Sequence, residues 1–184
     1  MRVLTIIPAK TDSKRLPGKN LKKINNKTLI EHSIDYAKKS KYNPYIIIST
    51  ESSEVISIAI KNGVQGMRRP YNLCGDAEVT DVYMDVVNNL EKKFDYVVAL
   101  QPDHPDREHS FDYCLDYLIE NNYDDVITIE SNFKRSGSVR VFKYNHLIQG
   151  HVSKRIGCIK DDATDIHYQK DLDRAKSKME IIND

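Results

Sequence analysis

Four cationic side chains, Lys10, Lys14, Arg15 and Lys19, fall within ten residues of one another in the segment Pro8 to Asn20, directly after the apolar run Val3 to Ile7. Such a loop can wrap a triphosphate. The small and polar residues Ala9, Thr11 and Ser13 let backbone N–H groups approach phosphate oxygens, while the cations neutralise charge that develops on a leaving pyrophosphate. On composition alone, a solvated basic turn accounts for the cluster equally well. A second chemical position is Gln101-Pro102-Asp103-His104-Pro105, just after the apolar run Tyr96 to Leu100. A carboxylate at the carboxyl end of a strand faces the crevice, and magnesium that bridges to substrate phosphates needs only about one or two protein carboxylates. The plainer reading of Asp103 is the cap of a turn before Pro105.

These positions require strands to present them. Short β-branched or apolar runs at Val3–Ile7, Tyr45–Ser49, Tyr96–Leu100, Asp125–Ile129 and Val139–Phe142 predict strands. Helix-period segments at Leu29–Lys39, Glu54–Lys61, Val79–Lys92 and Phe111–Glu120 alternate with them, and Lys170–Lys178 reads as a final charged helix. Ser52 and Ser53 are N-cap candidates before Glu54, and Gly63 is a stop signal. The alternation predicts an α/β, Rossmann-like fold: one domain over residues 1–184, with a mainly parallel twisted sheet, helices on both faces, and ligands outside the carboxyl ends of the strands.

Composition narrows the partners. With 28 basic and 27 acidic side chains in 184 residues, the net charge of +1 supplies no global field toward nucleic acid or anionic membrane. The apolar runs are far shorter than the about 20 residues of a membrane span, and the amino-terminal run has no cleavage site after it, so a soluble cytoplasmic protein is expected. Cys74, Cys114 and Cys158 are too widely spaced for a zinc site and odd in number, and read as packing residues.

The order Ile7-Pro8-Ala9-Lys10-x-x-Ser13-Lys14-Arg15-Leu16-Pro17-Gly18-Lys19-Asn20 resembles the signature loop of the CMP-sugar synthetases, the cytidylyltransferases that activate acylneuraminate and the eight-carbon acid KDO. The resemblance implies a nucleotidyltransferase fold, CTP and a small acidic sugar as substrates, and Mg2+ as cofactor. It makes Lys10, Arg15 and Lys19 the catalytic contacts to the phosphates, with Lys10 replacing a family arginine and losing its bidentate fork. It places Ala9, Ser13 and Asn20 on the nucleotide, Asn20 near the cytosine. Ile48-Ser49-Thr50-Glu51 is similar to a family Ser-Thr-Asp segment. Arg69-Pro70 followed by Leu73-Cys74-Gly75-Asp76 resembles a segment lining the base pocket, which adds Arg69 and Thr80 as nucleotide candidates. By residue type alone these are a loop arginine and a helix-cap threonine.

Gln101 to Pro105 resembles the Gln-Gly-Asp-Glu-Pro segment of the KDO enzymes, which implies Asp103 as a metal ligand and Gln101 as the acceptor-binding residue. Thr164 to Leu172 resembles Asp-Ile-Asp-Thr-x-x-Asp-Leu, which implies Asp165 as a second metal ligand and places His167 where the family has its principal aspartate. Neutral imidazole suits magnesium poorly. Residues 130–138 are too short for the dimer-forming arm of the family, so a homodimer remains an open assembly, and Lys134, Arg135 and Arg140 are further candidates for an acceptor carboxylate. The rival readings are nucleotidyl transfer to another acceptor, such as a phosphonate or sugar phosphate, and a non-catalytic nucleotide-binding regulator.

Overall fold

The computed structural model describes residues 1–150 and 153–181. Nine strands are present among them: β1 (Val3–Pro8), β2 (Lys23–Ile24), β3 (Lys27–Thr28), β4 (Tyr45–Thr50), β5 (Gln65–Arg68), β6 (Tyr96–Leu100), β7 (Asp125–Ile129), β8 (Arg135–Lys143) and β9 (Ile156–Lys160). The helices are α1 (Leu29–Lys38), α2 (Ser53–Lys61), α3 (Val79–Asn88), α4 (Phe111–Glu120), α5 (Tyr144–Gln149) and α6 (Gln169–Ile181). Seven strands form one sheet in the order β5-β4-β1-β6-β8-β7-β9, and β2 pairs with β3 in a small separate hairpin. Only β8 runs against the others, antiparallel to both β6 and β7.

Strand alternation fixes the two faces. Val3 and Ile7 of β1, with Ile46 and Ile48 of β4, pack under α1, α2 and α4, while Leu4, Ile6 and Ile47 pack under α3 and α5. A third cluster joins Leu16, Ile24 and Leu29 to Ile166, Leu172 and Ala175, so α6 clamps the segment between β1 and α1. That segment is anchored by two apolar side chains, Leu16 and Ile24, which are 8% and 1% exposed. No described helix is long and apolar enough to cross a membrane.

Several boundaries differ from those expected, each for a local reason. Thr28 caps α1 with a complete capping box to Glu31. Ser52, rather than Ser53, caps α2 by accepting from Val55 N. The expected helix to Lys92 ends at Asn88, because the Asn89 amide donates to the Asp85 carbonyl (2.8 Å) and competes with continued helix. Strand β5, sequence Gln-Gly-Met-Arg, carries no apolar run and forms because β4 offers a parallel edge. β8 starts at Arg135, earlier than the expected Val139, so residues 130–134 are a tight turn closed by Glu130 N donating to Lys134 O at 2.8 Å.

Candidate active site

In the sheet order, β1 lies between β4 and β6, and the chain departs in opposite directions on its two sides, which opens a crevice at the carboxyl ends of these strands. The cationic loop leaves β1 there, Glu51 follows β4, and Gln101 to Asp106 follow β6. A cleft results, lined by Lys10, Ser13, Lys19, Asn20, Arg69, Gln101 and Asp103 together with the apolar Leu73, Val79 and Val82. A second depression shares Lys10, Ser13 and Lys19 with it and adds Lys14, Arg15 and His167. A third is bordered by Asp165, His167, Lys134, Lys170 and Arg174.

Local chemistry sets each side chain. Gly18 adopts φ 63° ahead of a 3-10 turn at Lys19–Leu21, a left-handed conformation that suits glycine, and this turn brings Lys19 round to face β6. Lys19 Nζ lies 2.5 Å from Asp103 Oδ2, with only 12% and 14% of the two side chains exposed. The other carboxylate oxygen, Oδ1, is 3.1 Å from His104 Nδ1. Burial pushes the Asp103 carboxyl up, but the hydrogen bond from His104 and the hydrogen bond and charge of Lys19 outweigh it and hold the group well below the ordinary carboxylate range.

The nucleotide end is built from buried polar contacts. Arg69 is 5% exposed and donates from Nη2 to the Ser49 carbonyl at 2.7 Å. Burial draws its pKa down, opposed by the charge of Glu51. The Asn20 amide donates to the Lys10 carbonyl at 2.8 Å, while its Oδ1 is a buried acceptor without a partner. Lys10 Nζ donates to the Gly75 carbonyl at 2.7 Å, which ties the cationic loop to the segment before α3. Glu51 Oε1 accepts from both Thr11 N and Thr11 Oγ1 at 2.7 Å, and these contacts outweigh burial and lower its pKa.

Two loops that are distant in sequence are stapled together beside Asp103. Asp106 accepts from Thr164 N and Thr164 Oγ1, both at 2.8 Å, and Ile166 N donates to the Asp103 carbonyl at 3.1 Å. This staple delivers Asp165. Ligand atoms of Asp103, His104 and Asp165 all lie within 4.8 Å of one another. His104 is 1% exposed with Nε2 unpartnered, and that orphaned nitrogen beside two carboxylates fits a divalent cation. His167 Nε2 is 2.9 Å from Asp165 Oδ2. Asp171, in the first turn of α6, accepts from His167 N (3.0 Å) and Tyr168 N (2.9 Å), fixing the approach to that helix.

Of the residues singled out from sequence, Lys10, Ser13, Lys19, Asn20, Arg69, Gln101 and Asp103 meet in the main cleft, and Asp165 stands next to Asp103 through the staple. Three are placed elsewhere. Ala9 is fully buried and its N–H donates to Ser49 O at 2.9 Å, so that amide is committed to the sheet rather than to a phosphate. Arg15 is exposed, bordering the second depression, with its guanidinium 5.9 Å from the Tyr168 ring centroid. Thr80 lies off the cleft, where Val79 and Val82 of α3 face inward instead, and the α3 cap position is Glu78. Arg140 is held by Asp125 at 2.7 Å, in place of the acceptor role considered for it. Residues that sequence reasoning missed are His104, Asp106 and Arg107. Arg107 donates to the Gln101 carbonyl at 2.6 Å and the Ser138 carbonyl at 3.1 Å, and so pins the end of β6. An arginine seven residues beyond a strand gives no signal of that reach.

A family model described as cytidylyltransferase matches residues 4–171. The CMP-N,N'-diacetyllegionaminic acid synthase of Legionella pneumophila is 34% identical over 113 residues, covering 59% of this chain and 49% of that protein. The 3-deoxy-manno-octulosonate cytidylyltransferase of Wigglesworthia glossinidia brevipalpis is 33% identical over 108 residues, covering 57% and 42%. The chain thus spans about half the length of the curated relatives it matches. Among solved structures, a CMP:2-keto-3-deoxy-manno-octonic acid synthetase complexed with CTP superposes with a TM-score of 0.78 at 15% identity, covering 99% of this chain and 100% of that one. A cytidylyltransferase from Leptospira borgpetersenii gives 0.73 at 18% identity, covering 100% and 94%. These two likenesses carry the fold.

Proposed function

The chain belongs to the cytidylyltransferase family, and from that premise we propose that it transfers CMP from CTP to a sugar acid of the acylneuraminate or KDO kind, releasing pyrophosphate. The observation that carries the reading is the main cleft, where Lys10, Lys19, Asn20, Arg69 and Asp103 converge from three separate loops. The buried, unpartnered Asn20 Oδ1 suits the exocyclic amine of cytosine, a donor that uracil replaces with an acceptor oxygen. Lys10, Lys19 and, from the adjoining depression, Arg15 meet the phosphates and spread the charge of the departing pyrophosphate.

Asp103 and Asp165 would supply the negative charge for a divalent cation, magnesium when oxygen donors alone are counted, and such an ion would supply Lewis-acid chemistry to the triphosphate. Lys19 occupies Asp103 Oδ2 at 2.5 Å. Arrival of the triphosphate gives its ammonium a second anionic partner, so one lysine both orients Asp103 and meets substrate. Gln101, pinned through Arg107, orients the acceptor so that its oxygen lies in line with the α-phosphorus. A cytoplasmic setting, where thiols stay reduced, agrees with Cys74, Cys114 and Cys158 being free.

The test is a pyrophosphate-release assay with CTP, a divalent cation and a panel of legionaminic, pseudaminic, neuraminic and KDO acids, alongside calorimetric titration with CTP. Turnover with one or more acids is expected. CTP binding without release of pyrophosphate on any of them would replace this reading with that of a nucleotide-binding regulator.

A further inference from the structure

We infer that His104 Nε2 and Asp165 Oδ1 together hold the divalent ion, with Asp103 fixing the far nitrogen of the imidazole, so that the centre takes a first-row transition ion of the manganese or zinc class in preference to magnesium. The inference rests on the proposed function for what the ion does, but not for its presence. His104 is 1% exposed and its Nε2 has no hydrogen-bond partner. A buried polar atom left in this way is destabilising unless a ligand completes it. The ring is oriented: Nδ1 lies 3.1 Å from Asp103 Oδ1, so donation from Nδ1–H to that carboxylate leaves the Nε2 lone pair free. A carboxylate that fixes the far nitrogen of a histidine is the arrangement by which metal-bound imidazoles are held.

What Nε2 faces is Asp165 Oδ1, 3.9 Å away. That gap is too wide for a hydrogen bond and close to the span of two metal–ligand bonds of about 2.0–2.2 Å each. The second oxygen of Asp165 is held by His167 Nε2 at 2.9 Å, which aims Oδ1 back at His104. Magnesium prefers oxygen and sheds its water reluctantly, whereas imidazole suits manganese, cobalt and zinc, so one nitrogen among the donors reverses the order expected of a carboxylate pair. The sequence points to His167 as the misfit at this centre, while the structure points to its buried neighbour across the cleft.

The experiment uses the whole chain, stripped of metal and without nucleotide. Manganese(II) is titrated while its free electron-paramagnetic-resonance signal is followed, magnesium is then added as competitor, and pulsed spectra are recorded for 14N coupling to bound manganese. The expected result is binding that magnesium opposes at least about tenfold more weakly, with a directly bound histidine nitrogen that persists in His167→Asn. In His104→Asn the nitrogen coupling disappears and manganese binds at least about tenfold more weakly. If that buried substitution fails to fold, the parent protein and His167→Asn decide the matter between them. Manganese bound without 14N coupling, coupling lost in His167→Asn, equal affinity for magnesium, or no manganese binding would each overturn the inference. The proposed function fails separately: magnesium-driven CTP turnover at a nitrogen-free centre sinks this inference alone, whereas nitrogen-bound manganese without CTP binding sinks the transferase reading alone.

Discussion

Lys19 gives the most direct test of the cleft, and Lys19→Met removes its charge while keeping most of its length. In the resting protein the ammonium is 2.5 Å from Asp103 Oδ2, and both side chains are largely shielded from water and salt. Removing it leaves Asp103 with the His104 Nδ1 hydrogen bond as its remaining partner. The stability cost therefore falls below the about 3–5 kcal/mol of a wholly stranded buried charge and nearer the about 1–3 kcal/mol of one lost partner. Under the proposed function catalysis should be hit harder, because the same charge would meet the leaving pyrophosphate. Loss of one preorganised electrostatic contact costs at least about tenfold, or about 1.4 kcal/mol of barrier, and up to about 10³-fold. The assay is pyrophosphate release under CTP saturation, with circular dichroism and urea unfolding as folding controls. A double-mutant cycle with Asp103→Asn separates the two roles, since contacting residues couple in stability by about 0.5–3 kcal/mol. A folded Lys19→Met protein with kcat/KM within about threefold of the parent would refute both the phosphate contact and the cleft assignment.

Three further outcomes follow from named contacts. CTP should raise the unfolding temperature more than UTP, ATP or GTP, by the equivalent of about 2.7 kcal/mol at a hundredfold excess over Kd; equal shifts from all four nucleotides would rule out a cytosine pocket at Asn20. Gly137 sits at φ 73°, and an added Cβ would come 2.6 Å from Gln101 Nε2, so Gly137→Ala should cost about 1–2 kcal/mol and raise the acceptor KM with that for CTP unchanged, as steady-state kinetics in each substrate would reveal. At Asp124, burial pushes the carboxyl up, but hydrogen bonds from Arg155, Lys143 and Ser153 outweigh it and draw it from 3.8 down to about 2. This lowered group adds stability that is fully present above about pH 4 and is lost as pH falls toward 2, so the unfolding free energies of the parent and Asp124→Asn should converge over that interval; a gap that stays constant from pH 7 to 2 would contradict the assignment.

Sequence alone was informative wherever local chemistry and tertiary demand agree. Val3–Ile7, Tyr45–Ser49, Tyr96–Leu100 and Asp125–Ile129 are buried strands in which apolar patterning leaves one outcome, and their alternation with helices was enough to specify a mainly parallel sheet with its crevice after β1 and β6. The order of residues from Pro8 to Asn20 and from Gln101 to Pro105 singled out Lys19, Asn20 and Asp103, because both segments begin directly at the carboxyl end of a strand. Strand β5, by contrast, has no hydrophobic signal and exists only because β4 leaves an edge to pair with. The fate of an individual N–H or guanidinium is likewise a tertiary outcome: Ala9 N is taken by Ser49 O, and Arg15 is directed toward Tyr168 once α6 packs on Leu16. Most of all, His104 acquires its meaning from Asp165, 61 positions later in the chain. Periodicity and motif order encode neighbours along one strand or loop, whereas the Asp106–Thr164 staple that brings those two residues together depends on two loops meeting after the sheet has closed.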